Sequence, residues 1–183
     1  MGKRFDTLTE DQIAFIGQQP VFFVATVPLP GGYVNVSPKG MDSLRVLSPN
    51  RILWLNVTGS GNETAPQLAA DPRITLMWMS TTLKPMILRA YGTGRAVHHG
   101  DADWPELAAQ LPDLPGARQI VEVAVALVQS SCGYAVPFLD FRAERPTLKS
   151  WAEGKGDAGL HSYWAERNAT TLDGQPTGIE ANL

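Results

Sequence analysis

Residues 51–64 read RILWLNVTGSGNET, in which an apolar run passes into a glycine-rich turn. The apolar run is typical of a buried strand. Ser60 or Asn62 can cap a short helix that extends to residue 70, and a further apolar strand follows at 74–79. The stretch therefore predicts one short helix inserted between two strands.

Strands are predicted on both sides of this unit. The other candidate strands lie at 21–27, 33–37, 43–47, 86–97 and 119–128. In the last of these, Val alternates with Glu or Ala, and a period of two favours a strand over a helix. Six or seven antiparallel strands with one inserted helix indicate a mainly β fold. We expect an antiparallel barrel and no alternating β–α units.

Helical segments flank the predicted barrel at both ends. Thr9 and Gln12 form a capping-box pattern at the start of an N-terminal helix. Beyond residue 143 two amphipathic helical pieces are separated by Gly154-Lys155-Gly156. We therefore expect a barrel domain at 1–143 and a helical extension and tail at 144–183, packed on the barrel or on a dimer partner.

Composition excludes several classes of function. The 183 residues carry a formal net charge of −3, so no overall positive field favours nucleic acid. No apolar run is long enough to span a membrane, and the charged N-terminus lacks a signal core. The single cysteine, Cys132, fits a reducing compartment. A cytoplasmic protein that binds neither nucleic acid nor membrane is expected.

Three separated segments have the chemistry of an anion site. The turn 58–64 offers free backbone N–H groups before a helix, while Lys39 and Arg89 supply positive charge. The turn is neither a P-loop nor a dinucleotide-binding fingerprint, because the required Lys and third Gly are absent. Each segment also has a simpler interpretation: a structural turn, a solvated lysine and an arginine in an ion pair.

The order of these segments resembles the pyridoxamine 5'-phosphate oxidase-like family of FMN-binding split barrels. The resemblance covers about residues 8–130 and is strongest from Ile52 through Thr58 to the segment Asp71-Pro72-Arg73-Ile74. The Gly94-Arg95 pair fits the same pattern. The segment 131–137 resembles an unassigned subgroup of flavin-binding proteins more than the vitamin-metabolising oxidase.

The resemblance implies where FMN would bind. Ser37 and Lys39 fall where the family contacts the flavin ring and ribityl chain, and Thr58 falls near the edge of the ring. The phosphate position corresponds to 62–64, although the oxidase has Arg-Lys where this chain has Glu63-Thr64. Arg89 falls where the oxidase has a flavin-contacting Gln. The predicted cofactor-binding residues are Ser37, Lys39, Thr58, Ser60, Asn62, Glu63, Thr64 and Arg89.

The resemblance does not extend to the oxidase's substrate residues. Where the oxidase binds pyridoxal phosphate with basic residues, this chain has the acidic segment 101–105. Its last residues, 174–183, contain neither Arg nor His. We therefore expect a substrate other than pyridoxamine phosphate.

The same resemblance implies an FMN-dependent oxidoreductase that acts with a small-molecule substrate or a nicotinamide electron donor. The family forms homodimers with FMN at the interface. No catalytic residue can be assigned. Trp151, Tyr163 and Trp164 either cover the partner's flavin or pack on their own barrel.

Two other functions stay open. The barrel can hold flavin or haem without catalysis, with His98 or His99 as an axial ligand, or it can use the deazaflavin F420 as a reductase. No metal site is predicted, because adjacent side chains on a strand point to opposite faces.

Overall fold

The computed structural model describes residues 2–183. Its strands are β1 (Lys3–Phe5), β2 (Phe22–Thr26), β3 (Asn35–Lys39), β4 (Leu44–Ser48), β5 (Arg51–Val57), β6 (Arg73–Met79), β7 (Ile87–Val97) and β8 (Ala117–Ser131). Its helices are α1 (Glu10–Gly17), α2 (Thr64–Ala70), α3 (Trp104–Ala108) and α4 (Thr147–Arg167), followed by a short 3-10 helix (Ile179–Asn182). The predicted mainly β architecture, with a short helix between two strands, is confirmed.

The strands form one antiparallel sheet in the order β3-β2-β6-β7-β8-β5-β4, and β1 pairs with β8 beside this path. The seven strands of the path match the predicted number. The three-residue β1 is an eighth strand, too short to leave a periodic signal in the sequence. Lys39 on one edge strand contacts Asn56 on β5, with 3.4 Å between Nζ and Oδ1. The sheet therefore curls until its two edges approach each other.

Alternation along the strands fills the interior of this curled sheet. In β2, Phe22, Val24 and Thr26 are buried while the residues between them are half-buried. The Phe22 ring lies 6.2 Å from the Trp54 ring and 6.4 Å from the Trp78 ring, centroid to centroid. Both tryptophans are almost fully buried. Burying each large apolar side chain contributes roughly 1.5–3 kcal/mol, so this aromatic cluster anchors the fold.

Both predicted flanking helices form. In α1 the Thr9 amide donates to Gln12 Oε1 at 2.9 Å, and the Gln12 amide donates to Thr9 Oγ1 at 3.3 Å. This confirms the capping box. The predicted break in the C-terminal helix is found inside α4, where Gly156 has φ 61° and ψ 175°. Glycine adopts this left-handed backbone conformation without the steric cost of a side chain.

No helix among residues 2–183 has both the length and the apolar character needed to cross a lipid bilayer.

The longest strand pair, β7 with β8, contains a β-bulge that requires glycine. Tyr91 pairs with Leu127 while Gly92 pairs with Val125, so Ala126 is the extra residue. A Cβ added to Gly92 would overlap the carbonyl group of Ala124, which is backbone and cannot turn aside.

We expect Gly92→Ala to lower the free energy of unfolding by about 1–3 kcal/mol, because the two strands must separate locally to admit the methyl group. Thermal unfolding should show a fall in Tm of several degrees. The matched control is Gly154→Ala, whose new Cβ meets nothing within 4 Å. Equal Tm values for the two variants would contradict this interpretation of the bulge.

Candidate functional site

The inner face of β3 presents a row of polar side chains. Asn35, Ser37 and Lys39 pair in register with the buried Thr26, Val24 and Phe22 of β2, so they point to the same side of the sheet. Asn35 Nδ2 donates to Thr64 Oγ1 at 3.1 Å, at the start of α2. Lys39 reaches Asn56 near the end of β5. The row thus faces the two ends of the 58–64 turn.

Strand β8 completes a polar groove, defined here by Ser37, Lys39, Asn56, Arg118 and Gln119. Asn56 Nδ2 donates to Gln119 Oε1 at 3.0 Å. Asn56 pairs with Gln119 and Val57 with Ala117, so Arg118 is the extra residue of a second bulge. Because a bulge re-aims side chains, Arg118 and its neighbour Gln119 do not follow the usual alternation.

The polar groove carries unbalanced positive charge. Burial of the ammonium, reinforced by the nearby charge of Arg118, lowers the pKa of Lys39 to about 8. Arg118 is 2% exposed, and burial lowers its pKa to about 10. Within residues 2–183, neither cation takes part in an ion pair. Buried cations are normally paired with an anion, so the groove suits an anionic ligand.

Several buried polar atoms at this end of the sheet have no hydrogen-bond partner. They are Ser37 Oγ, Arg118 Nε, Gln119 Nε2 and both amide atoms of Asn62. Most buried polar groups in proteins are satisfied, so such a concentration calls for a reason. Three of these atoms are N–H donors and one is a hydroxyl, which suits a ligand rich in acceptor atoms.

Helix α4 covers the groove from the outside. Trp164 Nε1 donates to Thr58 Oγ1 at 2.8 Å, and the Thr58 hydroxyl donates to the Gly116 carbonyl at 2.8 Å. Asn168, the C-cap of α4, accepts from Arg118 Nη1 at 2.7 Å and donates to the Gly59 carbonyl at 3.0 Å. The C-terminal aromatic residue Trp164 therefore packs on its own barrel.

An open cleft leads from solvent to Lys39. This lysine cleft is lined by Lys39, Gly40, Met41, Leu148 and Trp151, among others, and has a volume of about 650 Å³. Ligand pockets of small-molecule size span roughly 300–1,000 Å³. The cleft is therefore large enough to admit a flat ring beside the lysine.

The structure brings together most of the predicted site residues. Strand β3, which carries Ser37 and Lys39, contacts both sides of the segment that contains Thr58, Ser60, Asn62, Glu63 and Thr64, through the pairs Asn35–Thr64 and Lys39–Asn56. Within it, the hydroxyls of Thr58 and Thr64 are already bonded to protein, and Glu63 Oε1 accepts the amide of Leu172 at 3.0 Å. Ser60 is exposed, and Asn62 is the member with free polar atoms. The roles of these residues toward a cofactor stay predictions.

Arg89 is separated from the groove. Its neighbours on β7, Leu88 and Ala90, are fully buried, so the arginine projects from the opposite face of the sheet. There its Nη1 lies 3.4 Å from Ser131 Oγ. The expectation that Arg89 shares one pocket with Lys39 and the 58–64 turn is wrong for this chain, because strand alternation places Arg89 on the opposite face. The sequence alone could have indicated this alternation.

Three residues of the polar groove, Asn56, Arg118 and Gln119, were not predicted from the sequence. Arg118-Gln119 is a polar pair at the start of an otherwise Val-rich strand. A polar pair entering a buried strand is the signal that could have identified them.

The two adjacent histidines lie outside the polar groove. His98 Nδ1 is 3.1 Å from Asn182 Oδ1, and His99 Nε2 is 3.1 Å from the Ala117 carbonyl. The His99 ring packs 4.2 Å from that of Trp104, and burial lowers the pKa of His99. Both histidines therefore join the C-terminal tail and α3 to the sheet.

Comparison with known proteins agrees with this architecture. A family profile described as Pyridoxamine 5'-phosphate oxidase matches residues 8–132. The pyridoxamine 5'-phosphate oxidase family protein ustO of Aspergillus flavus is 33% identical over 189 residues, which cover 94% of this chain and 76% of that protein.

Two solved structures share the fold. A tagged point variant of HupZ from Group A Streptococcus superposes with a TM-score of 0.53 and 18% identity, covering 68% of this chain and 99% of that one. A candidate pyridoxamine 5'-phosphate oxidase of Lactobacillus delbrueckii has a TM-score of 0.52 and 22% identity, covering 68% and 94%. With the profile match and the fungal relative, the conclusion is that this chain belongs to the pyridoxamine 5'-phosphate oxidase family.

Proposed function

We propose that this chain is an FMN-binding oxidoreductase that acts on a small molecule other than pyridoxamine phosphate. The observation that carries the proposal is the pair of cations Lys39 and Arg118, which share the polar groove with no carboxylate paired to either. Membership of the pyridoxamine 5'-phosphate oxidase family makes a flavin the natural anionic ligand.

The residues of the groove fit such a group. Arg118 Nε and Gln119 Nε2 are unpaired donors for the acceptor atoms of a phosphate or a flavin ring, and Ser37 Oγ can donate or accept. Lys39 lies where the groove opens into the lysine cleft, and its ammonium can place a positive charge beside the cofactor. When bound, FMN supplies the electron chemistry by accepting and donating a hydride equivalent.

The protein's own part is binding, orientation and exclusion of water. Trp164 and Asn168 close the groove on the side of α4, so a ligand held there is shielded from water on that side. In such surroundings the charge of Lys39 acts more strongly than it would in water. This scheme requires no protein acid or base, which agrees with the absence of an assigned catalytic residue.

The substrate is proposed to differ from pyridoxamine phosphate because the acidic segment 101–105 gives a phosphate no attraction. Asp103 forms an ion pair with Arg95, and Asp101 Oδ2 accepts the amide of His98 at 2.8 Å. The segment therefore serves the local structure. A nicotinamide electron donor or another small molecule stays the proposed reaction partner.

We further propose that the chain acts as a cytoplasmic homodimer with FMN at the interface. Large apolar side chains are exposed in the segment that follows β8, namely Tyr134, Phe138, Leu139 and Phe141. Exposed apolar clusters of this kind favour association. Any contact between Arg89 and a flavin would then involve the groove of the partner.

We expect the purified protein to bind FMN, and we expect Lys39→Met to weaken that binding about 10- to 100-fold, because a hydrogen bond to a charged group contributes about 1.5–3 kcal/mol. Flavin fluorescence titration at pH 7 measures both affinities. Above pH 8 the affinity of the wild type should fall as Lys39 loses its proton. Lys84→Met, at an exposed lysine, is the matched control.

Parallel titrations with haem and F420 decide between the cofactors. Oxidoreductase activity is tested by anaerobic addition of NADPH or NADH, which should bleach the bound flavin. A protein that takes up haem but no FMN would overturn the proposal, as would equal FMN affinities for the Lys39→Met and Lys84→Met variants.

The free energy of unfolding of the ligand-free protein should depend on pH through the lowered pKa of Lys39. Its folded-state pKa of about 8 lies below the ordinary value near 10.5, so the unfolded chain holds the proton more tightly. Stability should therefore rise as pH increases from about 8 to about 10.5, and the penalty is fully present below pH 8. At pH 7 we expect Lys39→Met to be more stable than the wild type by on the order of 1–3 kcal/mol.

Urea unfolding at pH 7 and at pH 10 measures this difference, which should shrink at the higher pH. A variant that is less stable than the wild type at pH 7 would assign Lys39 a structural role.

A further inference from the structure

A second cavity enters the barrel between α1 and β4. This apolar crevice is defined by Ile13, Ile16, Gly17, Phe22, Leu44, Val46 and Trp78, and it has a volume of about 550 Å³. Three of its walls come from separate elements: α1, the edge strand β4, and the aromatic residues of β2 and β6. Nothing in the proposed flavin groove uses these side chains.

The floor of the crevice is aromatic. The rings of Phe22 and Trp78 are stacked with an angle of 29° between their planes, and Trp54 meets Phe22 edge-on. Ile13, Leu44 and Val46 are half-buried and pack against this cluster. Aromatic rings pair favourably with other rings at 4.5–7 Å in offset or edge-on arrangements. The crevice therefore favours a flat apolar ring over a polar or highly branched group.

The apolar crevice is continuous with the lysine cleft. Both are lined by Pro20, Gly40, Phe141 and Glu144. Lys39 and Phe22 are direct register partners on β3 and β2, so their side chains lie next to each other on one face. A single molecule can therefore reach from the aromatic floor to the ammonium.

The turn between β3 and β4 lies where the apolar crevice meets the lysine cleft. Its central residues, Met41 and Asp42, have φ values of 63° and 52°, a left-handed conformation uncommon for residues other than glycine. Met41 lines the lysine cleft and Asp42 lines the apolar crevice. Asp42 is held by Arg45, with Oδ1 2.8 Å from Nη1 and Oδ2 2.9 Å from Nη2. Strained turns of this kind cluster at ligand sites.

We infer that the apolar crevice binds the aromatic ring of a small carboxylate whose anionic end reaches Lys39. The ring is selected by the Phe22–Trp78 floor, and the carboxylate by the Lys39 ammonium beside it. Glu144 also lines the junction, but within residues 2–183 it forms no ion pair with Lys39. As a statement about the substrate of an oxidoreductase, the inference rests on the proposed function. The binding itself requires no flavin, so the two can be tested separately.

Isothermal titration calorimetry of the flavin-free protein at pH 7 tests the inference with three probes. Naphthalene-2-carboxylate has both ring and charge, 2-naphthamide has the ring alone, and acetate has the charge alone. We expect the carboxylate to bind about 10-fold or more tightly than the amide, which corresponds to one charge-assisted hydrogen bond, and acetate not to bind measurably. Lys39→Met should abolish the preference for the carboxylate over the amide.

A filling variant tests the position of the ring. Gly17 lines the crevice, and a Cβ added there meets nothing within 4 Å, so Gly17→Phe is chosen to add a ring at the edge of the cavity. We expect it to weaken naphthalene-2-carboxylate at least 10-fold while leaving FMN affinity unchanged. The control is Gly154→Phe on α4, where an added Cβ also meets nothing within 4 Å. It should bind like the wild type.

Three outcomes overturn the inference. Equal binding of the carboxylate to the Gly17→Phe and Gly154→Phe variants places the ring elsewhere, and equal binding of carboxylate and amide by the wild type removes the role of Lys39. If no probe binds and Gly17→Phe instead shifts the monomer–dimer equilibrium in sedimentation, a second copy of the chain occupies the crevice. If the protein binds the carboxylate but does not bind FMN, the result supports the ligand site in the crevice and contradicts only the proposed FMN-dependent function.

Discussion

Two positive charges, the buried Arg118 and the half-buried Lys39, share one groove, and within residues 2–183 no carboxylate forms an ion pair with either. This imbalance constrains every interpretation of the site. Bringing an ammonium and a guanidinium out of water is unfavourable unless an anion compensates them. The same penalty acts on Lys39, because burial, with a smaller effect from Arg118, lowers its pKa to about 8. A protein that keeps such a pair without need would be less stable than one with apolar residues there. Binding of an anionic ligand supplies the missing compensation.

One long strand, β8, and one helix, α4, place the two cations in the polar groove. Strand β8 pairs with β1, β5 and β7, and its bulge at Arg118 leaves the guanidinium bonded to Asn168 and near enough to Lys39 to lower the pKa of that lysine. Helix α4 then seals the opening by holding Thr58 through Trp164 and Arg118 through Asn168. The C-terminal segment thus helps to set the dielectric surroundings of the groove. The apolar crevice and the lysine cleft leave the other side open to small molecules.

Much of the fold could be predicted because its signals are local. The period of two in β8, the Thr9–Gln12 capping box and the glycines that break α4 each act within a few residues, and each is confirmed. Strand β1 gave no such signal, since three residues are too few for a period.

The site was harder to predict because it depends on which residues meet across the sheet. The place of Lys39 opposite the 58–64 turn followed from family resemblance. The contributions of Asn56, Arg118 and Gln119 arise from strand pairing and a bulge, which a single sequence does not encode locally. The misplacement of Arg89 had a different origin. Alternation along β7 places Arg89 on the face opposite the buried Leu88 and Ala90, and the positive charge of its side chain carries no information about that face.

The central claim concerns the protonation of Lys39, and NMR of protein with isotopically labelled lysine measures it most directly. The Lys39→Met variant identifies the resonance, and a pH titration with and without FMN follows its charge. We predict a pKa of about 8 in the free protein and a clear rise when FMN is bound, because the anion stabilises the ammonium. A pKa near the ordinary lysine value of about 10.4, unchanged by FMN, would contradict the claim that the groove holds an uncompensated buried charge.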